Sequence, residues 1–305
     1  MINCVMLYLL INIKKLSMKI KESRVLSLTI ITLIYSLSFI TGYFSFYWMD
    51  NLYIKFFLMD VIATITVFIF SVIFKNTSVY DPYWSLTPWA ILTYFFISFK
   101  AFSIYNIVIY IVFTIWSWRL TINWVITFPN LTHEDWRYSY YRNKLDTFKF
   151  QVVNFIGLHM IPTVLVYGGL LPLLVLFVNG NNSPLSLIGA FIILIGVILE
   201  FVTDHEMHSF LRSTKERITC RNGLWNYSRH PNYLGENIIW IGCFTAMVVV
   251  LPHFWWLFFG FVLMILLFEF ISIPLAEKHH KSRRNDYVDY IKTTSRMLLL
   301  PHKKD

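Results

Sequence analysis

Of 305 residues, 57% are hydrophobic and only 14% charged, with a mean hydropathy of +0.57. A soluble domain carries about a quarter charged residues, so a water-soluble core is excluded. The net charge of +9 would suit nucleic acid, but its placement along the chain assigns it to membrane topology instead.

The stretch 1–13 is apolar but too short to span, and Lys14 and Lys15 follow it, the wrong order for a cleaved signal peptide. Met18 is an alternative start. Eight apolar runs then come close to or exceed the ~20 residues that cross the hydrocarbon. They fall at about 25–46, 52–74, 85–99, 102–127, 150–178, 184–210, 232–251 and 254–275. The third is short and Pro162 and Pro172 break the fifth, so seven to nine spans fit the pattern. The fold class expected is all-α, a polytopic transmembrane helix bundle. A basic segment 1–24, an embedded bundle 25–275 and a basic segment 276–305 make up the chain.

Alternating eight spans from a cytosolic N-terminus places 23 of the 26 Lys and Arg residues on the cytosolic side, with Arg119 near a cytosolic helix end. Only Lys55 and Lys100 lie opposite. The positive-inside rule therefore predicts both termini in the cytosol and gives no support to a nucleic-acid role. The expected location is the bacterial inner membrane, or the endoplasmic reticulum of a eukaryote. Cys4, Cys220 and Cys243 are widely spaced and odd in number, which indicates neither a disulfide frame nor a zinc site.

Polar residues collect in the predicted cytosolic segments. Tyr80-Asp81-Pro82-Tyr83-Trp84 sets a carboxylate and phenols at a membrane edge, suited to polarising a substrate carbonyl or, more plainly, to capping a helix beside an aromatic belt. Arg119 sits in an apolar helix and needs a partner or an interface. Asp135, Tyr138 and Arg142 share one helix face at spacings of three and four, which suits a nucleotide or a salt-bridged turn. Glu200, Asp204, His208 and Arg212 step by four and form a stripe leading out of the membrane. Asp204 and His208 have metal-ligand spacing, but only His279 and His280 add to them, so no metal site is expected.

Residues 222–242, NGLWNYSRHPNYLGENIIWIG, are the most informative stretch. Pro231 suits a first helical turn, and the N–H groups after it lack intrahelical partners, which with the helix dipole favours a phosphate. Arg229 adds a bidentate donor beside His230, while Asn232, Tyr233 and Glu236 offer hydrogen bonds to ribose or base. Beyond the last span, Glu277 and Arg284 are placed to close over a cofactor; equally, the tail is an amphipathic surface helix.

The order Asp81…Trp84, Trp118-Arg119-Leu120, Asp135-Trp136-Arg137-Tyr138, Asp204, Gly223-Leu224-Trp225, Arg229-His230-Pro231-Asn232-Tyr233…Gly235-Glu236 and Glu277…Arg284…Tyr287…Tyr290 resembles the steroid 5-alpha-reductase-like family, domain of unknown function 1295. The resemblance covers roughly residues 60–301. It implies NADPH bound from the cytosol, with Asn232 and Glu236 at the nicotinamide end. Asp204, Arg212, Arg221, Arg229 and Tyr233 would hold ribose and phosphates, and Arg119, Tyr138 and Arg142 would complete the cage. Steroid reductases use a glutamate and a tyrosine near the substrate oxo group; Asp81 and Trp116 stand in comparable places here, with Tyr83 and Tyr138 as neighbouring phenols.

The expected function is thus NADPH-dependent reduction of a carbon–carbon double bond in a membrane lipid such as a steroid, sterol, polyprenoid or enoyl lipid. Isoprenylcysteine and phospholipid methyltransferases share an Arg-His-Pro-x-Tyr-x-Gly run and bind S-adenosylmethionine. Asn232 after the proline, a single Glu277-Lys278 in place of paired glutamates, and the basic loop 211–231 favour the reductase. A non-enzymatic lipid-binding membrane protein is the third reading.

Overall fold

The computed structural model describes residues 19–302 except 20, 181 and 215. Cys4, Lys14, Lys15 and Met18, named above, lie outside the described residues. Helices follow in the order α1 Arg24–Tyr43, α2 Leu52–Phe74, α3 Tyr83–Ser98, α4 Ile104–Thr127 and α5 Trp136–Lys144. Then come α6 Thr147–Asn179, α7 Leu187–Ser213, α8 Pro231–Val248, α9 Pro252–Lys281 and α10 Tyr287–Thr293. Among the described residues there is no strand, only an isolated parallel bridge between Ser228 and Ser295.

A helix forms at each of the eight apolar runs. Six are long and apolar enough to cross a membrane: α2, α4, α6, α9, and α1 and α7 with their short flanking turns. The other two, α3 and α8, have 16 and 18 residues. The expected break in the fifth run does not occur. The chain is helical without interruption from Thr147 to Asn179 and widens into a π-helix over Val153–Met160, just before Pro162. Proline removes one N–H and crowds the carbonyl four residues back, and a widened turn accommodates both.

The chain divides into two compact units. The first comprises the residues through Pro88 and Ser117–Val164; the second comprises Trp89–Trp116 and everything from Leu165. In the first, Ile31, Ile34, Tyr35, Ala63, Val67, Val79, Tyr80, Tyr83, Phe128 and Leu131 make a common apolar core. Local polar residues fix its ends. Asn51 caps α2 by accepting from the Tyr53 and Ile54 amides, and Asp135 caps α5 through the Arg137 amide. Asn76 donates to the carbonyls of Leu131 and His133 at 2.9 and 2.8 Å, tying the 75–81 loop to the 128–135 loop.

The second unit is organised on an antiparallel pairing of α7 with α8. Small residues let the two backbones meet: a Cβ added at Gly196 would lie 2.7 Å from the Gly235 carbonyl oxygen and 2.6 Å from Ile239 Cγ1. The same holds one helical repeat away, where Gly242 faces Ile193. Association between apolar helices in lipid depends on such close packing, because burial against lipid tails supplies little drive.

Candidate functional site

The predicted site residues fall into both units. Asp81, Tyr83, Arg119, Tyr138 and Arg142 belong to the first; Asp204, Arg212, Arg221, Arg229, His230, Asn232, Tyr233, Glu236 and Glu277 belong to the second.

In the first unit, two carboxylate–phenol pairs form. Tyr138 donates a short hydrogen bond to Asp81 Oδ1, and Arg137 Nη2 stands 3.8 Å from the same oxygen. Burial pushes the Asp81 carboxyl up to about 6, against the pull of Arg137, so it holds a proton more readily than an exposed aspartate. Burial, followed by the Asp81 charge, drives the Tyr138 phenol well above its usual range. The second pair was not foreseen: Tyr83 donates to Asp60 Oδ1 at 2.8 Å, with both residues buried. Asp60 lies in the apolar α2, and an acid inside a span that needs a partner is the signal that would have singled it out. Arg142 is committed locally. Its Nε and Nη2 fork onto Glu134 at 2.9 and 2.6 Å, while Glu134 Oε1 also accepts the Thr77 amide. Arg119 is half-buried within α4.

In the second unit, Pro231 opens α8 as expected, with His230 just before it. Arg229 reaches back to the C-terminal segment. Its Nε donates to Glu277 Oε1 at 2.8 Å, and its Nη1 donates to the carbonyls of Ile291 and Thr294 at 3.0 and 2.6 Å. The Arg229 amide meets the Ser295 carbonyl at 2.9 Å, and the Ser228 hydroxyl donates to that of Met297 at 2.7 Å. His230 Nε2 lies 3.4 Å from Glu277 Oε1, and burial holds the imidazole below its usual pKa, hence neutral at pH 7. Tyr233 stacks between His230 and Phe268, with centroids at 5.6 and 4.7 Å. Glu236 is fully enclosed, its two oxygens accepting the indole N–H groups of Trp116 and Trp240 at 3.0 and 2.9 Å. Asn232 and Asp204 are half-buried, and Arg212 is exposed at the end of α7.

The loop between α7 and α8 is held by groups that lie outside the predicted stripe. Glu206, not Asp204, accepts the Leu224 amide at 2.9 Å, and Trp225 Nε1 donates to the Thr203 carbonyl at 3.1 Å. Gly223 has φ +55, and any side chain there would strike the Glu206 carboxylate. Arg221 donates to the Asp286 carbonyl at 3.0 Å and lies over the Tyr290 ring, while Asp286 itself accepts from the Thr219 amide and hydroxyl, both at 2.9 Å.

Beside Arg229, a cleft of about 450 Å³ is lined by Arg229, Pro274, Glu277, Lys278, Lys281 and Arg296. Four cationic side chains and the Glu277 carboxylate therefore line it. Arg296 is anchored by Glu269, Nη1 to Oε1 at 2.5 Å and Nη2 to its carbonyl at 2.7 Å. Glu269, in the last apolar run, carries the same overlooked signal as Asp60. Around this region buried polar atoms stand without hydrogen-bond partners: His230 Nε2, Asn237 Oδ1, Tyr287 OH, Thr294 Oγ1 and Arg296 Nε. Such atoms are uncommon in a native interior and call for an explanation.

Fold and composition define a multi-pass helical membrane protein. The family model described as "Protein of unknown function (DUF1295)" matches residues 67–294, and the chain belongs to that family. It is similar to a fission yeast protein, "Uncharacterized protein C594.04c" of Schizosaccharomyces pombe, with 22% identity over 222 residues. That alignment takes in 64% of each chain, so the chain spans less than two thirds of that relative's length. No solved structure matches.

Proposed function

We propose that this protein is an NADPH-dependent membrane reductase acting on an electron-poor carbon–carbon double bond of a lipid. The observation that carries the reading is the cleft at the mouth of α8, where Arg229, Lys278, Lys281 and Arg296 stand against two carboxylates, Glu277 and the Glu269 that anchors Arg296. A cleft with that surplus of positive charge suits a polyphosphate, whereas a sulfonium cofactor such as S-adenosylmethionine calls for a surplus of carboxylates. The unpartnered polar atoms of His230, Asn237, Tyr287 and Thr294 add donors and acceptors of the kind a ribose or an amide engages.

In this reading Lys278 and Lys281 meet phosphate, and Arg229 supports them from its fixed position on Glu277. Asn232, Tyr233 and His230 serve the ribose or base, with Asp204, Arg212 and Arg221 in the supporting places that the resemblance implies; Arg142 is spent on Glu134 within the first unit. Glu236 acts through the two indoles it orients. NADPH, when bound, supplies a hydride to the substrate carbon. The buried Tyr83–Asp60 and Asp81–Tyr138 pairs are the proton-bearing groups of this reading. Both termini and the α7–α8 loop face the cytosol, where the nucleotide is found. The test is charge reversal: Lys278→Glu with Lys281→Glu should weaken NADPH binding about ten-fold or more in calorimetric titration. Unchanged binding would remove the cleft from the account.

A further inference from the structure

Beyond α10 the chain of the second unit turns back along the loop that opens α8. The Ser295 carbonyl accepts the Arg229 amide, the Met297 carbonyl accepts the Ser228 hydroxyl, and the Leu300 amide donates to the Tyr227 carbonyl at 3.4 Å. Two side chains then take this strap to membrane depth. Met297 Sδ accepts from the Asn237 side-chain amide at 3.2 Å, and Asn237 lies five residues, about 8 Å, inside the apolar run 232–251. Arg296 donates to Glu269, which lies six residues, about 9 Å, inside the run 254–275. Both anchors therefore sit at a similar distance below the cytosolic ends of their helices.

The place of Arg296 follows from the sequence of α9. Over Phe268–Ser272 the helix is π-helical, and the Ile273 amide bonds to the Phe268 carbonyl five residues back. The next bond in that series would join residue 274 to the Glu269 carbonyl, but Pro274 has no N–H. Arg296 Nη2 donates to that carbonyl instead, at 2.7 Å, while Nη1 takes the carboxylate of the same residue. A polar backbone group inside a span must be paired, and here the strap pairs it.

Leu298, Leu299 and Leu300 follow at once, and they are 55%, 39% and 49% exposed. Phe270 and Ile271, beside Glu269 on α9, are exposed too, in a helix long and apolar enough to cross a membrane. On such a helix an exposed apolar side chain meets lipid. Three consecutive leucines, tied two to four residues earlier to the same level of α9, continue that surface. We propose that Leu298–Leu300 is a lipid anchor, covered by acyl chains at the cytosolic boundary of the bilayer. Arg296 also lines the cleft beside Arg229, so the bilayer, through the strap, holds one wall of that cleft in place.

The test places a nitroxide label on Leu298→Cys and on Leu300→Cys, each in phosphatidylcholine nanodiscs. Lys292→Cys, at an exposed position of α10, is the water-facing reference. Protein with no added cysteine, labelled alongside, measures the contribution of the three native cysteines. Collisions with oxygen, which concentrates in lipid, are compared with collisions with nickel ethylenediamine diacetate, which stays in water. The ratio of the two at both leucine positions should exceed that at Lys292 by about three-fold or more, as expected for side chains below the headgroups. An equal ratio at all three positions means the leucines face water, and overturns the anchor. Protection from both reagents means another protein surface covers them, a second copy of this chain included, and overturns it too. The link to the cleft rests on the reductase reading and has its own arm. Leu298→Gln with Leu300→Gln should weaken NADPH binding about three-fold or more, because Arg296 is no longer held. Unchanged binding overturns that link. Absence of NADPH binding in the wild type counts against the reductase reading, and the collision arm still decides the anchor.

Discussion

Arg229→Ala separates a strut from a ligand contact. In the folded protein the guanidinium is 9% exposed and Glu277 14% exposed, with Nε and Oε1 2.8 Å apart. Truncation leaves the carboxylate without its main partner, and removing one member of a buried pair costs about 3–5 kcal/mol. The carbonyls of Ile291 and Thr294 also lose their donor, which adds to the loss where water cannot reach them. The C-terminal segment should then come away from the loop that opens α8. Arg229→Lys keeps the charge but not the planar fork, so it should recover only part of the loss. Adding Glu277→Leu to Arg229→Ala should recover part as well, since no stranded charge remains. Equilibrium unfolding in mixed detergent with rising dodecyl sulfate, followed by far-ultraviolet circular dichroism, measures all four proteins. If Arg229→Ala unfolds together with wild type, the strut carries no stability and this reasoning is refuted.

Gly196→Ala would press a methyl against the Gly235 carbonyl and Ile239, and should destabilise by about 1–3 kcal/mol in the same unfolding assay. Asp81 has a folded pKa of about 6 against an ordinary 3.8, so its contribution is full below pH 4 and lost as pH rises through about 6. That gap corresponds to roughly 3 kcal/mol, and Asp81→Asn should flatten the pH dependence of the unfolding midpoint between pH 4 and 7. Reporter fusions after residues 145, 220 and 300 should report the cytosol and one after Ser183 the opposite side; an external report at 220 would remove the proposed cleft from cellular NADPH.

Helices were legible in the sequence because hydropathy alone dictates them in lipid, where every backbone N–H and C=O must pair within its own segment. The start of α8 was as clear, since Pro231 acts locally, whereas the caps Asn51 and Asp135 were not read as such, although they act locally too. Partners across the fold were not legible. Nothing in the sequence couples Glu236 to Trp116, 120 residues away, or says that the fork of Arg142 is spent on Glu134. Asp60 and Glu269 are instructive in a different way. Each is an acid inside an apolar run, a signal as strong as the one that singled out Glu200, and each has its partner in Tyr83 or Arg296. Spacing by four along α7 pointed to Asp204, yet Glu206 grips the following loop, because a loop leaving a helix chooses the face it crosses.

The central claim is that the mouth of α8 holds a polyphosphate nucleotide. Calorimetric titration of the purified wild-type protein with NADPH, NADH and S-adenosylmethionine tests it most directly. NADPH should bind saturably, NADH more weakly for want of the 2′-phosphate, and S-adenosylmethionine not at all. Saturable binding of S-adenosylmethionine with no response to NADPH would contradict it and place this protein among the methyltransferases.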